Sequence, residues 1–512
     1  MSRPVVVRFA PSPTGPLHIG GVRTALYNYL FARKQNGKLI LRIEDTDQTR
    51  YVEGAEAFIE EACEWLGIQF NESPAAGGIH GPYRQSERVK AGVYRPYAEQ
   101  LVSEGKAYYA FDTSEELNTM RERLQAEGSS IQQYNAVTRS SMTNSFTLSE
   151  AEVARRLAAG EPYVIRFNMP ENEDITFSDV VRDSVTFNSR QLDDKILLKS
   201  DGFPTYHLAN VVDDHLMNIS HVIRGEEWLS STPLHVLLYR AFGWTESIPT
   251  FVHLPLILNP NGKGKMSKRA GDKMGFSVFP ITWNDPQSDA VAVGYREQGY
   301  LPGALMNFMS LLGWNPGDEE ELMQADRLIE RFSLERINQS PTNFDLDKLK
   351  WFNEQYIRQI LSDEDLAHLV RPYLVTHQIE GISHDYLIRA TTLMKDRVSF
   401  ISEFVSKAQF LYKAPDHYDS KMARKQWKEQ TPAHMKALLT AFSRLTDWTS
   451  NALSDVFETV VSEQGVGKGR MMAPLRLALS GVPAGPGVFD IAELIGKVET
   501  LTRIERAITT LS

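Results

Sequence analysis

Residues 5–9 read Val-Val-Val-Arg-Phe, and the chain then turns through Ala10-Pro11-Ser12-Pro13-Thr14-Gly15-Pro16-Leu17-His18-Ile19-Gly20-Gly21. No other feature constrains the fold as strongly. The apolar run is too short for a helix and is bounded by turn residues, so it predicts a buried strand. Ile19, Val22, Leu26, Tyr29 and Leu30 then recur at helical spacing, with Gly37 placed to close the helix. Leu39-Ile40-Leu41-Arg42-Ile43 predicts a second strand, ending in the acidic cluster Glu44-Asp45-Thr46-Asp47. Strand, glycine-rich turn, helix, strand is the opening of a parallel α/β sheet of the Rossmann type.

The rest of the 512 residues divides by texture. The first half of the α/β domain covers 1–84. Residues 85–195 are mixed and more polar, with a Ser/Gln/Asn-rich excursion at 125–144, and read as an inserted α+β domain. The sheet is expected to resume with Ile196-Leu197-Leu198, and its second half covers 196–344. His253-Leu254-Pro255-Leu256-Ile257-Leu258 predicts a further strand, and 274–300 is irregular and punctuated by proline. From 345 to 512 helical periodicity dominates, through Leu361, Leu366, Leu369 and Val370 and then Leu387, Leu393, Met394 and Val398. Lys413-Ala414-Pro415 marks a place where this all-α region could split.

No stretch approaches the ~20 apolar residues of a membrane span, and no signal or transit segment precedes Val5, so a cytoplasmic protein is expected. The one cysteine, Cys63, lies among Phe58, Ile59, Trp65 and Leu66 and reads as a packed thiol. A single cysteine also excludes a multi-cysteine zinc site, so no structural zinc and no other protein-held metal is expected. The net charge of −10 argues at first against a nucleic-acid partner. From 341 onward, however, 21 Lys+Arg face 21 Asp+Glu, so the excess falls in residues 1–340. A basic stripe within an acidic protein is the expectation.

Two segments carry chemistry. In the first turn, Gly15, Gly20 and Gly21 let backbone approach a phosphate, and the following helix offers free N–H groups to an anion. His18 at the helix entrance could donate to a phosphate oxygen; the alternative is a turn with a capping histidine. The second segment is Gly262-Lys263-Gly264-Lys265-Met266-Ser267-Lys268-Arg269, with four cations and two glycines in eight residues. It suits a triphosphate, against the alternative of a solvated basic turn.

Together these segments resemble the class I aminoacyl-tRNA synthetases, and residues 8–25 are similar to the opening of bacterial-type glutamate–tRNA ligases. Arg42–Asp47, Gly81-Pro82-Tyr83-Arg84-Gln85-Ser86-Glu87-Arg88, the block Lys199–His215 and Arg224-Gly225-Glu226-Glu227-Trp228 continue the resemblance. It extends more weakly through Phe344-Asp345-Leu346 and Pro474-Leu475-Arg476.

The resemblance implies ATP-dependent attachment of glutamate to tRNA(Glu) through a glutamyl-adenylate, with Mg²⁺ carried on ATP. It implies His18, Lys265 and Lys268 as catalytic, and Thr14, Gly15, Gly20, Glu227, Trp228 and Ser267 as further ATP contacts. For glutamate it implies Arg8 and Arg224 on the carboxylates, Glu44 on the ammonium, and Ala10, Ser12, Tyr206 and Asn210 around them. A plain Arg8–Glu44 salt bridge is the competing reading of that pair. The helical region would read the anticodon. Arg397 in Leu393-Met394-Lys395-Asp396-Arg397 matches a residue associated with rejecting tRNA(Gln); an exposed arginine without special contacts is its alternative. A ligase charging both tRNA(Glu) and tRNA(Gln), and a glutamine–tRNA ligase, are the rival functions. A monomer is the default. Two departures stand out: Gly21 occupies the place where the class motif usually has histidine, and 270–295 is longer and more irregular than usual.

Overall fold

The computed structural model describes residues 3–129 and 132–511; the side chain of Lys268 lies outside what it describes. The chain forms two compact units, residues 1–298 with 305–346, and residues 299–304 with 347–512.

In the first unit the opening apolar run forms β1 (Val6–Phe9), buried at every position. Helix α1 (Ile19–Lys34) crosses over to β2 (Lys38–Leu41), which pairs with β1 in parallel, Val6 opposite Lys38 and Phe9 opposite Leu41. The closing of α1 differs from expectation. Asn36, with φ 50°, takes the left-handed turn. Gly37 is needed instead for proximity, since a Cβ there would lie 2.4 Å from the Val5 carbonyl oxygen. Cys63 is buried in α2 (Ala55–Trp65), where burial pushes its thiol up to about 12, as a packed thiol should behave.

After α3 (Gln85–Lys90) and α4 (Arg95–Ser103) come β3 (Ala107–Ala110), α5 (Ser114–Ala126), α6 (Glu150–Ala158) and β4 (Val164–Phe167). Then follow β5 (Asp174–Asp179), β6 (Asp183–Asn188) and β7 (Ile196–Leu198). Here the expectation that Ile196–Leu198 resumes the nucleotide sheet is corrected: β7 pairs antiparallel with β4, closing a sheet ordered β3-β4-β7. Leu197 and Leu198 are both buried, and a short apolar run carries no periodicity to say which sheet takes it. The β5–β6 hairpin leaves that region. Its Asp179 pairs in parallel with Phe251 of the large sheet, ordered β6-β5-β9-β8, with β8 at His221–Gly225 and β9 at Thr250–Leu254.

The unit continues with α7 (Tyr206–Leu216), β8 (His221–Gly225), α8 (Thr232–Ala241) and β9 (Thr250–Leu254), with β8 and β9 parallel. Ser220 ties β8 to β1: its N–H donates to Val6 O at 2.8 Å, and its Oγ accepts from Val6 N at 2.9 Å. The segment after α9 (Lys268–Met274) packs back on the opening elements. Val278 O accepts from Ile19 N at 2.9 Å, Trp283 stands edge-on to Phe58 at 5.3 Å, and Arg296 pairs with Glu61 at 2.8 Å.

In the second unit the regular elements from Asp363–Thr376 to Lys497–Leu511 are helical. Leu366, Val370 and Leu387 are buried as their spacing predicts, while Leu369 is exposed. Among the described residues no helix is long and apolar enough to cross a membrane.

Candidate active site

The carboxyl ends of β1 and β8 open onto a cavity of about 480 Å³. In parallel α/β sheets this is where ligands sit. Arg8, Ala10, Ser12, Thr14, Gly15, His18, Gly20, Glu44, Tyr206, Asn210, Arg224, Glu227, Trp228 and Lys265 all line it. Ser267 does not. It caps α9, its Oγ accepting from Ala270 N at 3.3 Å, and Lys268 is the first residue of that helix. Arg397 belongs to the other unit, exposed at the end of the turn Lys395–Arg397. Burial and then Arg397 lower the pKa of half-buried Arg476.

His18 is the N-cap of α1, its Nδ1 accepting from Gly20 N at 2.9 Å. That contact leaves the proton of the neutral ring on Nε2, the atom free to donate. Water reaches the ring, but the surrounding walls and then Lys265 lower its pKa, against the pull of Glu227. His18 is therefore a neutral donor near pH 7. A Cβ on Gly20 would fall 2.7 Å from the imidazole, and one on Gly21 2.4 Å from Leu17. Both glycines are thus set by close approach, which accounts for Gly21 where the class motif has a larger residue. Across the cavity Lys265 Nζ meets Glu227 Oε1 at 3.2 Å. Burial opposes ionisation of Glu227, but its own backbone N–H and Lys265 outweigh it.

The Arg8–Glu44 salt bridge does not form. Arg8 Nε donates to Asp214 at 3.1 Å, whereas Glu44 accepts from Arg42 at 3.0 Å and from Asn210 Nδ2 at 3.3 Å. Burial raises the Glu44 pKa, against Arg42 and Arg8. Arg42, wholly buried, also donates to Asp214 at 2.7 Å. Neighbouring Asp213 accepts from Arg88 at 2.7 Å, Gln85 at 2.8 Å and Tyr94 at 2.9 Å. Arg42, Asp213 and Asp214 were not expected to act at the site. Their signal was two consecutive aspartates directly after the largely apolar helical stretch Leu208–Val212, since buried charges demand partners.

Arg224 is held on several sides. Its Nη1 donates to Tyr206 Oη at 2.8 Å, its Nη2 to Thr232 Oγ1 at 2.8 Å and Trp228 O at 3.2 Å, and its Nε to His253 Nε2 at 3.1 Å. Tyr206 lies against Trp228, ring centroids 4.4 Å apart. Beneath them His207 Nδ1 and His235 Nε2 meet at 3.2 Å. Burial, then Lys195, pushes His207 down to about 4. Burial, then Arg224 and His207, holds His235 well below its ordinary value.

This pair gives a pH prediction. Below about pH 6.5 the unfolded chain binds protons that the folded rings resist. Stability is therefore lost as pH falls toward 4, by up to about 1.4 kcal/mol per pH unit per histidine. Urea titrations at stepped pH will show this acid limb flattened in His207→Gln; an unchanged slope would mean that His207 titrates freely.

Residues 4–351 match the family described as "tRNA synthetases class I (E and Q), catalytic domain", and residues 365–508 that described as "Anticodon binding domain". The chain is similar to the glutamate–tRNA ligase of Cytophaga hutchinsonii, 51% identical over 512 residues, 100% of this chain and 98% of that protein. It is 51% identical over 514 residues to the glutamate–tRNA ligase of Flavobacterium johnsoniae, covering 100% of both. Its structure is similar to the crystal structure of a glutamate tRNA ligase from Elizabethkingia meningosepticum in complex with its amino acid. There the TM-score is 0.94 at 47% identity, over 99% of this chain and 100% of that one.

Proposed function

The chain belongs to the glutamate–tRNA ligases, within the class I aminoacyl-tRNA synthetases, and on that premise we propose how its cleft divides the work. The enzyme attaches glutamate to tRNA(Glu) with ATP in two steps. First the α-carboxylate of glutamate attacks the α-phosphorus of ATP, and pyrophosphate leaves. Then a hydroxyl of the 3′-terminal ribose attacks the acyl carbon, and AMP leaves. Carboxylate is already a nucleophile, so positioning and charge stabilisation carry the first step.

In this reading His18 donates Nε2–H to a phosphate oxygen as charge builds there. Lys265, released from Glu227, and Lys268 neutralise the triphosphate. Thr14, Gly15 and Gly20 bring the first turn against the nucleotide, with Glu227, Trp228 and Ser267 on its other side. Mg²⁺ bound through ATP oxygens would supply further charge neutralisation. Of the two carboxylates lining the cavity among the described residues, Glu44 stays engaged by Arg42, which leaves Glu227 alone and supports a metal held by the nucleotide rather than by the protein.

Glutamate lies between Arg8 and Arg224, with its ammonium on Glu44 and Asn210 and with Ala10 and Ser12 alongside. The incoming ammonium relieves the burial that raises the Glu44 pKa. Four of the five N–H groups of Arg224 are already taken, so it contributes one, beside the hydroxyl proton of Tyr206. Arg397, in the helical unit, is assigned to telling tRNA(Glu) from tRNA(Gln).

The observation that carries this reading is one cavity holding opposed cationic and anionic groups beside the capped phosphate-type turn. Pyrophosphate exchange and charging of both tRNAs, with glutamate and with glutamine, test it. Arg224→Gln is expected to lower kcat/KM for glutamate about 100-fold, the value of a charged hydrogen bond, with the KM for ATP little changed. An unaltered preference for glutamate over glutamine would remove Arg224 from side-chain recognition.

A further inference from the structure

Behind Arg224 lies a buried pair, neither member of which lines the cavity itself. Asp179, the last residue of β5, and His253, within β9, have fully buried side chains. His253 Nδ1 meets Asp179 Oδ2 at 2.6 Å. The other carboxylate oxygen, Oδ1, accepts from the backbone N–H groups of Arg182 at 2.9 Å, Val181 at 3.0 Å and His253 at 3.4 Å. Asp179 is thus pinned at both oxygens. On the far side of the imidazole, Nε2 faces Arg224 Nε at 3.1 Å and Thr232 Oγ1 at 3.2 Å.

The chemistry allows one proton arrangement. A guanidinium has only donors, so the ring nitrogen facing Arg224 must be an acceptor. The proton of His253 is therefore on Nδ1, where Asp179 receives it. Burial, with Arg224 beside the ring, keeps His253 below its ordinary pKa despite Asp179, consistent with a neutral imidazole. Since Nε, Nη1 and Nη2 of Arg224 leave one plane on a single bond axis, fixing Nε fixes the direction of the remaining Nη1 proton. That proton belongs to a side chain that lines the cavity and is bonded there to Tyr206.

We propose that Asp179 and His253 are positioning residues for substrate selection: they hold the Arg224 guanidinium in the orientation that accepts a carboxylate and refuses an amide. This rests on the assignment of Arg224 to the glutamate side chain. The pair acts on glutamate through Arg224 and makes no contact with the nucleotide turn, so its effect is confined to one substrate.

The test is steady-state tRNA charging by the full-length enzyme. Asp179→Asn preserves shape but presents an amide N–H to Nδ1. The ring then carries its proton on Nε2, donor against donor with Arg224. The glutamate KM is expected to rise about tenfold or more, with the KM for ATP within about twofold. The advantage of glutamate over glutamine in kcat/KM should fall in proportion. His253→Leu should do the same, and His253→Gln, which restores an acceptor near the Nε2 position, should recover most of the loss. If Asp179→Asn does not fold, the His253→Leu and His253→Gln comparison decides. An unchanged glutamate KM, or equal rises for glutamate and ATP, would reduce the pair to a structural link between β5 and β9. Arg224→Gln separates the two ideas. If it shifts selectivity while the Asp179 and His253 variants do not, the relay alone fails; if Arg224→Gln has no effect, the assignment of Arg224 fails and the relay with it.

Discussion

Asp214→Ala will destabilise the α/β unit by about 3–5 kcal/mol, because it leaves buried charge without a partner. Asp214 is the one carboxylate shared by Arg8, at 3.1 Å, and Arg42, at 2.7 Å. The side chains are 4% and 0% exposed, so water cannot replace it. Arg42 keeps Glu44, but Arg8 has no second carboxylate among the described ion pairs. Arginine cannot shed its charge to ease the loss. Urea unfolding of the variant should show the midpoint drop with little change in slope. A loss below about 1 kcal/mol would mean that Arg8 finds another partner. Glutamate binding should suffer as well, since Arg8 lines the cavity on the arm that Asp214 holds.

The largest effect on turnover is expected from His18→Ala. Removing one donor aimed at developing charge typically costs about 10²–10³ in kcat. Pyrophosphate exchange in the presence of tRNA should fall by that factor, while the glutamate KM stays nearly constant, because the charges that act on His18 are those of Lys265 and Glu227 and not Arg8 or Arg224. The substitution also removes the cap of α1, worth about 1 kcal/mol, so the variant's unfolding midpoint must be measured beside its rate. His18→Asn separates the two roles, since asparagine caps well and keeps an N–H donor. It should restore the helix and part of the rate. The lowered pKa adds a pH signature. The wild-type rate should not fall as pH rises through about 6.5, since the neutral ring is the working form. Exchange at the wild-type rate in His18→Ala would remove the histidine from the phosphate step.

Certain elements could be read from the chain before any coordinates, and the reasons are local. The β1–turn–α1–β2 opening announces itself through short-range signals: an apolar run, Pro and Gly in the turn, then a 3.6-residue period. His18 stands out at the helix entrance of the glycine-rich turn, where anions bind, whereas Glu44 and Arg224 take their roles only from the resemblance to the ligases. The misassigned β7 had only three apolar residues to offer. The Arg42–Asp213–Asp214 network and the Asp179–His253 pair were hidden for another reason. Their partners are brought together across 74 to 172 residues of chain, and nothing local in Asp179 or His253 declares that one will face the other. The Lys265–Glu227 contact was likewise composed of two residues each noticed separately, with the pairing supplied by the fold.

The β5–β6 hairpin has a practical consequence. By position it lies inside the stretch that interrupts the α/β unit, yet its sheet partner is β9. That stretch is therefore not a detachable cassette. Splicing it out between Arg84 and Ile196, or exchanging it wholesale for a counterpart from a relative, would expose the flank of β9 as an open edge and invite association through it. A minimised or chimeric enzyme has to carry residues 174–188 with the parent sheet, and place its cut points outside them.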